Sequence, residues 1–185
     1  MYANWRRWLS RDIEPVVRLD GVTLVGLNTA QGISPRTLTL RLRDLSVIGD
    51  LRATQIERAR YEFAQSPTND LRVVVMHHNP VRGDLSQRHG LKDTKRVLSA
   101  LADAGAELVL CGHDHQEAVH LVEHTKRGVV VATAGTVSIR SRGGRPASVN
   151  VITATPTELE VAAWVWDGTD FVRGPATVFE RTPHA

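Results

Sequence analysis

Two histidine clusters are the residues of this 185-residue chain best placed to do chemistry. Gly112-His113-Asp114-His115 follows the apolar run Leu108-Val109-Leu110-Cys111, and His77-His78-Asn79-Pro80 follows Leu71-Arg72-Val73-Val74-Val75-Met76. Imidazole near neutral pH can act as an acid, a base or a metal ligand. Each apolar run reads as a buried strand, stopped by a glycine or a proline. Residues two apart on an extended or turning segment point to the same side, so His113 and His115 could face one point just past the strand end. Adjacent strand ends that both carry imidazole predict a metal site at the carboxyl edge of a sheet, where open α/β sheets place their ligands. One histidine after a strand is ordinarily a solvated loop residue. Four of them in two strand-tip clusters favour a metal or catalytic role.

The elements that must position these residues follow from pattern. Residues 2–19 place Trp5, Trp8, Leu9, Ile13, Val16 and Val17 at roughly helical spacing, interrupted by Pro15. A helix ending near Ser10 is expected, with Trp5 and Trp8 sharing a face packed on the core. Asp20-Gly21 is a turn signal before the strand Val22–Leu27, and Asn28–Gly32 reads as a loop at its carboxyl end. Residues 33–50 are irregular, although Leu38, Leu40 and Leu42 alternate with polar residues. Leu51–Gln65 reads as a helix with Ile56, Ala59, Arg60 and Phe63 on one stripe. Val81–Gly90 is a polar loop containing Asp84 and His89. Leu91–Ala104 is a second helix, with Val97, Leu98, Leu101 and Ala102 inward and Gly105 as its C-terminal cap. The strand–helix–strand unit over 71–111 has the pattern of a right-handed parallel crossover. After His115, short strands at Val119–Val122, Val129–Ala134, Val149–Thr153 and Leu159–Trp166 suggest a largely antiparallel sheet, and a last strand lies near Phe171–Phe179.

Length and composition fit one domain over residues 1–185, and 42% hydrophobic residues are enough for a real core. Net charge is only +3 although the pI is near 9.5, and no basic run stands out as a nucleic-acid arm. Arg140, Arg142 and Arg145 read as a solvated turn, or at most a phosphate-contacting loop. The single cysteine, Cys111, cannot form an internal disulfide and reads as a small buried hydrophobe. No apolar stretch approaches the ~18–20 residues of a membrane span. The N-terminus has no signal-peptide core, so a cytoplasmic location is expected.

Four stretches together resemble the metallophosphoesterase family, the calcineurin-like phosphoesterases. Val73–Pro80 is similar to its strand ending in His-His-x-Pro or His-x-Pro. Leu108–His115 resembles its Gly-His-x-His signature. Val130–Ser138, with Ala134-Gly135-Thr136, resembles the strand after that signature. Val22–Asn28, then Gly49 and Gln55, resembles the segment before the His-His strand. The likeness covers about residues 20–165. It implies an α/β fold that is part of a four-layer α-β-β-α sandwich, and a two-metal site that hydrolyses phosphomonoesters or phosphodiesters with Mn, Fe or Zn. By that resemblance His77 and His113 bind one metal and His115 the other. His78 and Asn79 are then supporting or substrate-facing residues, with the choice between His77 and His78 open.

The chain departs from the family in its first half. No aspartate is followed two residues later by histidine. Gly49-Asp50-Leu51-Arg52-Ala53 and Gly83-Asp84-Leu85-Ser86-Gln87 begin like Gly-Asp-x-x-Asp but lack its last aspartate, and Gly-Asn-His is absent. These motifs would supply the bridging carboxylate, most ligands to one metal and a proton donor. Three histidines without a carboxylate hold one metal at best. The expectation is therefore the C-terminal half of such a domain, lacking the N-terminal βαβ units. Its strand Val73–Met76 would have an exposed flank, to be covered by a separate N-terminal half or another copy of the chain. The alternative is a non-catalytic domain that binds at most one metal or a partner chain. The predicted ligand is a phosphate ester, and neither a membrane nor nucleic acid is expected as a partner.

Overall fold

A computed structural model of the chain describes residues 2–8, 10–30, 48–83, 90–124, 128–138 and 142–181. The leucine alternation at 38–42, the loop residues Asp84 and His89, Lys126-Arg127, Arg140 and the last four residues lie outside them.

The first strands, β1 (Val16–Leu19) and β2 (Val22–Gly26), form an antiparallel hairpin in which Leu19 faces Val22 across Asp20-Gly21. Gly21 has φ 76°, which is why Asp-Gly suits a two-residue hairpin loop. Helix α2 (Ala53–Ala64) connects β2 to the parallel strand β3 (Leu71–Val75), and α3 (Thr94–Asp103) connects β3 to the parallel strand β4 (Leu108–Cys111). At the start of α2 the Gln55 side chain accepts the Arg52 N–H at 2.9 Å. The end of α3 is a Schellman motif: Gly105, at φ 95°, donates to Ala102 O at 2.9 Å, and Ala106 donates to Leu101 O at 3.0 Å.

The remaining strands are β5 (Ala118–Val122), β6 (Val129–Thr133), β7 (Ser148–Ala154), β8 (Glu158–Trp166) and β9 (Phe171–Glu180). They do not form the single antiparallel sheet that the sequence pattern suggests. The large sheet runs β1-β2-β3-β4-β6-β5, with β2, β3, β4 and β6 parallel, while β7-β8-β9 is a separate antiparallel sheet. Every residue of β6 is buried, as expected of an interior parallel strand covered on both faces. β3 has β2 on one side and β4 on the other, so the exposed flank expected there is absent and the edges are β1 and β5.

Side-chain alternation divides the core in two. Val74, Val109 and Val131 face α2 and α3, where Ile56, Phe63, Val97 and Leu101 pack on them. Val73, Leu108 and Val130 face the small sheet and meet Leu159 and Val161. The described residues thus make a mixed α/β fold of helices, large sheet and small sheet. The far face of the small sheet carries exposed Val151, Trp166 and Val178. Helix α1 (Ala3–Trp8) buries no residue, and Trp8 is 72% exposed rather than packed on the core. Its six residues are too few to present a continuous apolar stripe. No described helix is long and apolar enough to cross a membrane.

Candidate metal centre

The site forms where β2, β3 and β4 end side by side. Hydrogen bonding continues past the strands: Met76 donates to Leu110 O at 2.9 Å and Gly112 donates to His77 O at 3.0 Å. This fixes the His77-His78 corner against the Gly112–His115 turn. In that turn Asp114 N–H donates to Gly112 O at 3.0 Å, with His113 between them at φ 76°. An i→i+2 bond about a residue of positive φ is a strained γ-turn, and His115 also lies in the left-handed region at φ 57°. Asn79 and Asp114 are both buried, and the Asn79 amide donates to Asp114 Oδ2 at 3.0 Å. Asn79 Oδ1 in turn accepts the Val81 N–H at 2.8 Å. Asn79 therefore ties the two histidine-bearing loops together.

The result is a cluster of His77, His78 and His113, whose ligating nitrogens lie within 4.8 Å of one another. His113 Nδ1 stands 3.3 Å from His77 Nε2, and the His78 and His113 ring centroids are 4.8 Å apart. His77 is exposed, His113 half-buried and His78 only 5% exposed. His115 is exposed and stands outside this group of three, although its charge acts on His77. Neither Asp50 nor Asp114, both buried, belongs to the group.

Thr29 and the Gly49–Gly90 pair complete the walls, in roles that the sequence pattern does not assign to them. Thr29, just past β2, has its hydroxyl 2.9 Å from His78 Nδ1 and accepts the His78 N–H at 3.2 Å. Gly49 and Gly90 are joined by an N–H···O bond of 2.8 Å and approach the imidazoles as bare backbone. A Cβ at Gly49 would collide with His78 Nδ1 and Cγ, and one at Gly90 would lie 2.9 Å from His113 Cδ2. The sequence signals were faint: a threonine at the shared strand-end level, and a Gly-Asp that begins a motif without completing it.

Burial, then repulsion from His113 and His77, pushes His78 down to about 3. Burial, then the charge of His115, lowers His77. Both rings are therefore neutral at physiological pH, the form that ligates metal. With Nδ1 of His78 against Thr29, its Nε2 is the nitrogen free to ligate, as when an outer hydrogen bond orients a metal-binding histidine. Tetrahedral zinc with Zn–N of ~2.0–2.1 Å separates its nitrogens by about 3.3–3.4 Å. The His77–His113 spacing of 3.3 Å matches that edge. A divalent ion could bind here, with an open position for a further ligand.

No protein-family model matches the chain, and no curated protein matches it. Solved structures with similarity include Vps29 from Entamoeba histolytica complexed with zinc, at 12% identity and TM-score 0.37, covering 57% of this chain and 54% of that one. Another is GAP50, the anchor in the inner membrane complex of Plasmodium, at 10% identity and TM-score 0.49, covering 92% and 52%. Vacuolar protein sorting 29 from Cryptosporidium parvum gives 11% identity and TM-score 0.34, covering 49% and 46%. The chain spans about half the length of these three structures.

Proposed function

We propose that this chain is the imidazole-bearing half of a metal-dependent phosphoesterase of the calcineurin-like type. The observation that carries the reading is the convergence of His77, His78 and His113 at the carboxyl ends of parallel strands, within motifs that resemble that family. In this reading the three imidazoles hold one divalent ion, Zn, Mn or Fe. His115 lines the position of a second ion, whose carboxylate ligands come from an N-terminal half or another copy of the chain. The far face of the small sheet is where the fourth layer would lie, and the protein works in the cytoplasm. The chemistry supplied by bound divalent cations is polarisation of a phosphoryl oxygen and a nucleophile at neutral pH. The chain's own part is to hold the ions, with Thr29 orienting His78 and Asn79 locking the His113 turn.

A second reading, a non-catalytic domain with one metal or a partner chain, draws on the lack of any carboxylate in the three-residue group. Plasma mass spectrometry on purified protein, with hydrolysis of bis(p-nitrophenyl) phosphate, separates the two. The expected result is one ion per chain, lost in H113A and weakened in H77A and H78A. A second ion and hydrolysis, both sensitive to H115A, are expected only once the missing carboxylates are supplied. Metal content unchanged in H113A and H78A would overturn the assignment.

A further inference from the structure

A cavity of about 400 Å³ opens beside the exposed member of the cluster. His77 and Thr29 are among its lining residues, together with Trp5, Ile13, Leu24 and Val75. His77 belongs to the imidazole group, while Thr29 bonds His78 at 2.9 Å, so the cavity shares these two residues with the metal centre. The described lining contains no Lys, Arg, Asp or Glu. Phosphates beyond the one at the centre would find no counter-charge there, whereas a planar apolar group would find aliphatic walls and an indole. Trp5 is fixed at that wall by its Nε1–H, which donates to Asp12 O at 3.3 Å, and Tyr2 hydroxyl donates to Asn28 Oδ1 at 3.0 Å. The volume is within the ~300–1,000 Å³ range of small-molecule sites.

We infer that the ligand of this centre is a monoanionic or dianionic phosphate ester with an uncharged aromatic group, its phosphate at the imidazoles and its ring in the cavity beside Trp5. The inference rests on the metal-centre reading above. It gives Trp5 of α1 a role at the cavity rather than in the core.

The test is calorimetry on the zinc-loaded protein with phenylphosphonate and methylphosphonate, which share a headgroup and differ in the apolar part. Phenylphosphonate is expected to bind at least about tenfold more tightly, the scale set by burying one aromatic ring. In W5A, and independently in I13D, the preference should fall to about threefold or less with zinc stoichiometry and circular dichroism unchanged. α1 contributes no buried residue, so W5A leaves the fold intact. Zinc binding with equal affinity for the two phosphonates would overturn the inference and leave the metal centre standing. A preference undiminished in both variants would also overturn it, by placing the ring elsewhere. Failure to bind zinc at all would overturn the metal centre and, with it, this inference.

Discussion

Replacing His78 by asparagine should flatten the acid-side stability profile of the metal-free protein. His78 is held down to about 3, first by burial and then by His113 and His77, against 6.5 for a free imidazole. The folded value lies below the unfolded one, so the unfolded chain binds the proton first. The stabilisation is fully present above pH 6.5 and is lost as pH falls from there toward 3. At pH 4.5 the unfolded ring lies two units below its pKa, and at 1.36 kcal/mol per unit the loss is about 2.7 kcal/mol as an upper limit. Partial solvent screening brings the expectation to about 2 kcal/mol. In a chain of 185 residues this corresponds to a fall of about 4–8 °C in Tm. The assay is thermal unfolding in a chelating buffer between pH 7.5 and 4.5, for wild type and H78N. Comparing the two proteins in the same buffers isolates the contribution of position 78. Parallel curves would refute the reasoning, since they would mean that His78 protonates in the folded state with little cost.

Three further outcomes follow from the packing. G49A should bind zinc at least about tenfold more weakly by calorimetry, because its Cβ would collide with the Nδ1 and Cγ edge of His78 and move that ligand off its position. F63A should lower stability by about 3–5 kcal/mol in urea unfolding with an unchanged m value, since Phe63 is fully buried under α2. R181A should cost about 3–5 kcal/mol by the same measurement. Arg181 bonds Glu107 at 3.0 and 3.3 Å with both side chains largely buried, so its loss removes the counter-charge of a largely buried carboxylate; E107Q in the R181A background should restore part of the difference.

Local chemistry made much of this fold legible. Asp20-Gly21 announced a turn, Gly105 a helix end, and the spacing of Val97, Leu98, Leu101 and Ala102 the buried face of α3, where all four lie. β1 was missed because Val16-Val17 sits beside Pro15 in a helix-like spacing, and only pairing with β2 makes it a strand. Arg60 shares the helical spacing of Ile56, Ala59 and Phe63 but is exposed, while Gln55 is buried with those three. The division of the late strands between two sheets depends on β6 docking beside β4, a non-local choice that no window of sequence contains. The same distinction governs the site. Histidines at two strand tips were visible as types in a pattern. Thr29, Gly49 and Gly90 were not, because they act through proximity that arises only once three chain segments meet.

The left-handed backbone at His113 and His115 sets fitness for thermal stability against retention of the site. Such φ values cost an ordinary L-residue roughly 1–2 kcal/mol each, and glycine almost nothing. A library of this chain screened for heat resistance alone would therefore enrich glycine at both positions. Its winners would melt later and would have discarded an imidazole of the metal cluster along with its neighbour. Stabilisation that keeps the site must come from elsewhere, such as the sparsely packed N-terminal helix or the exposed face of the small sheet, with positions 113 and 115 held fixed.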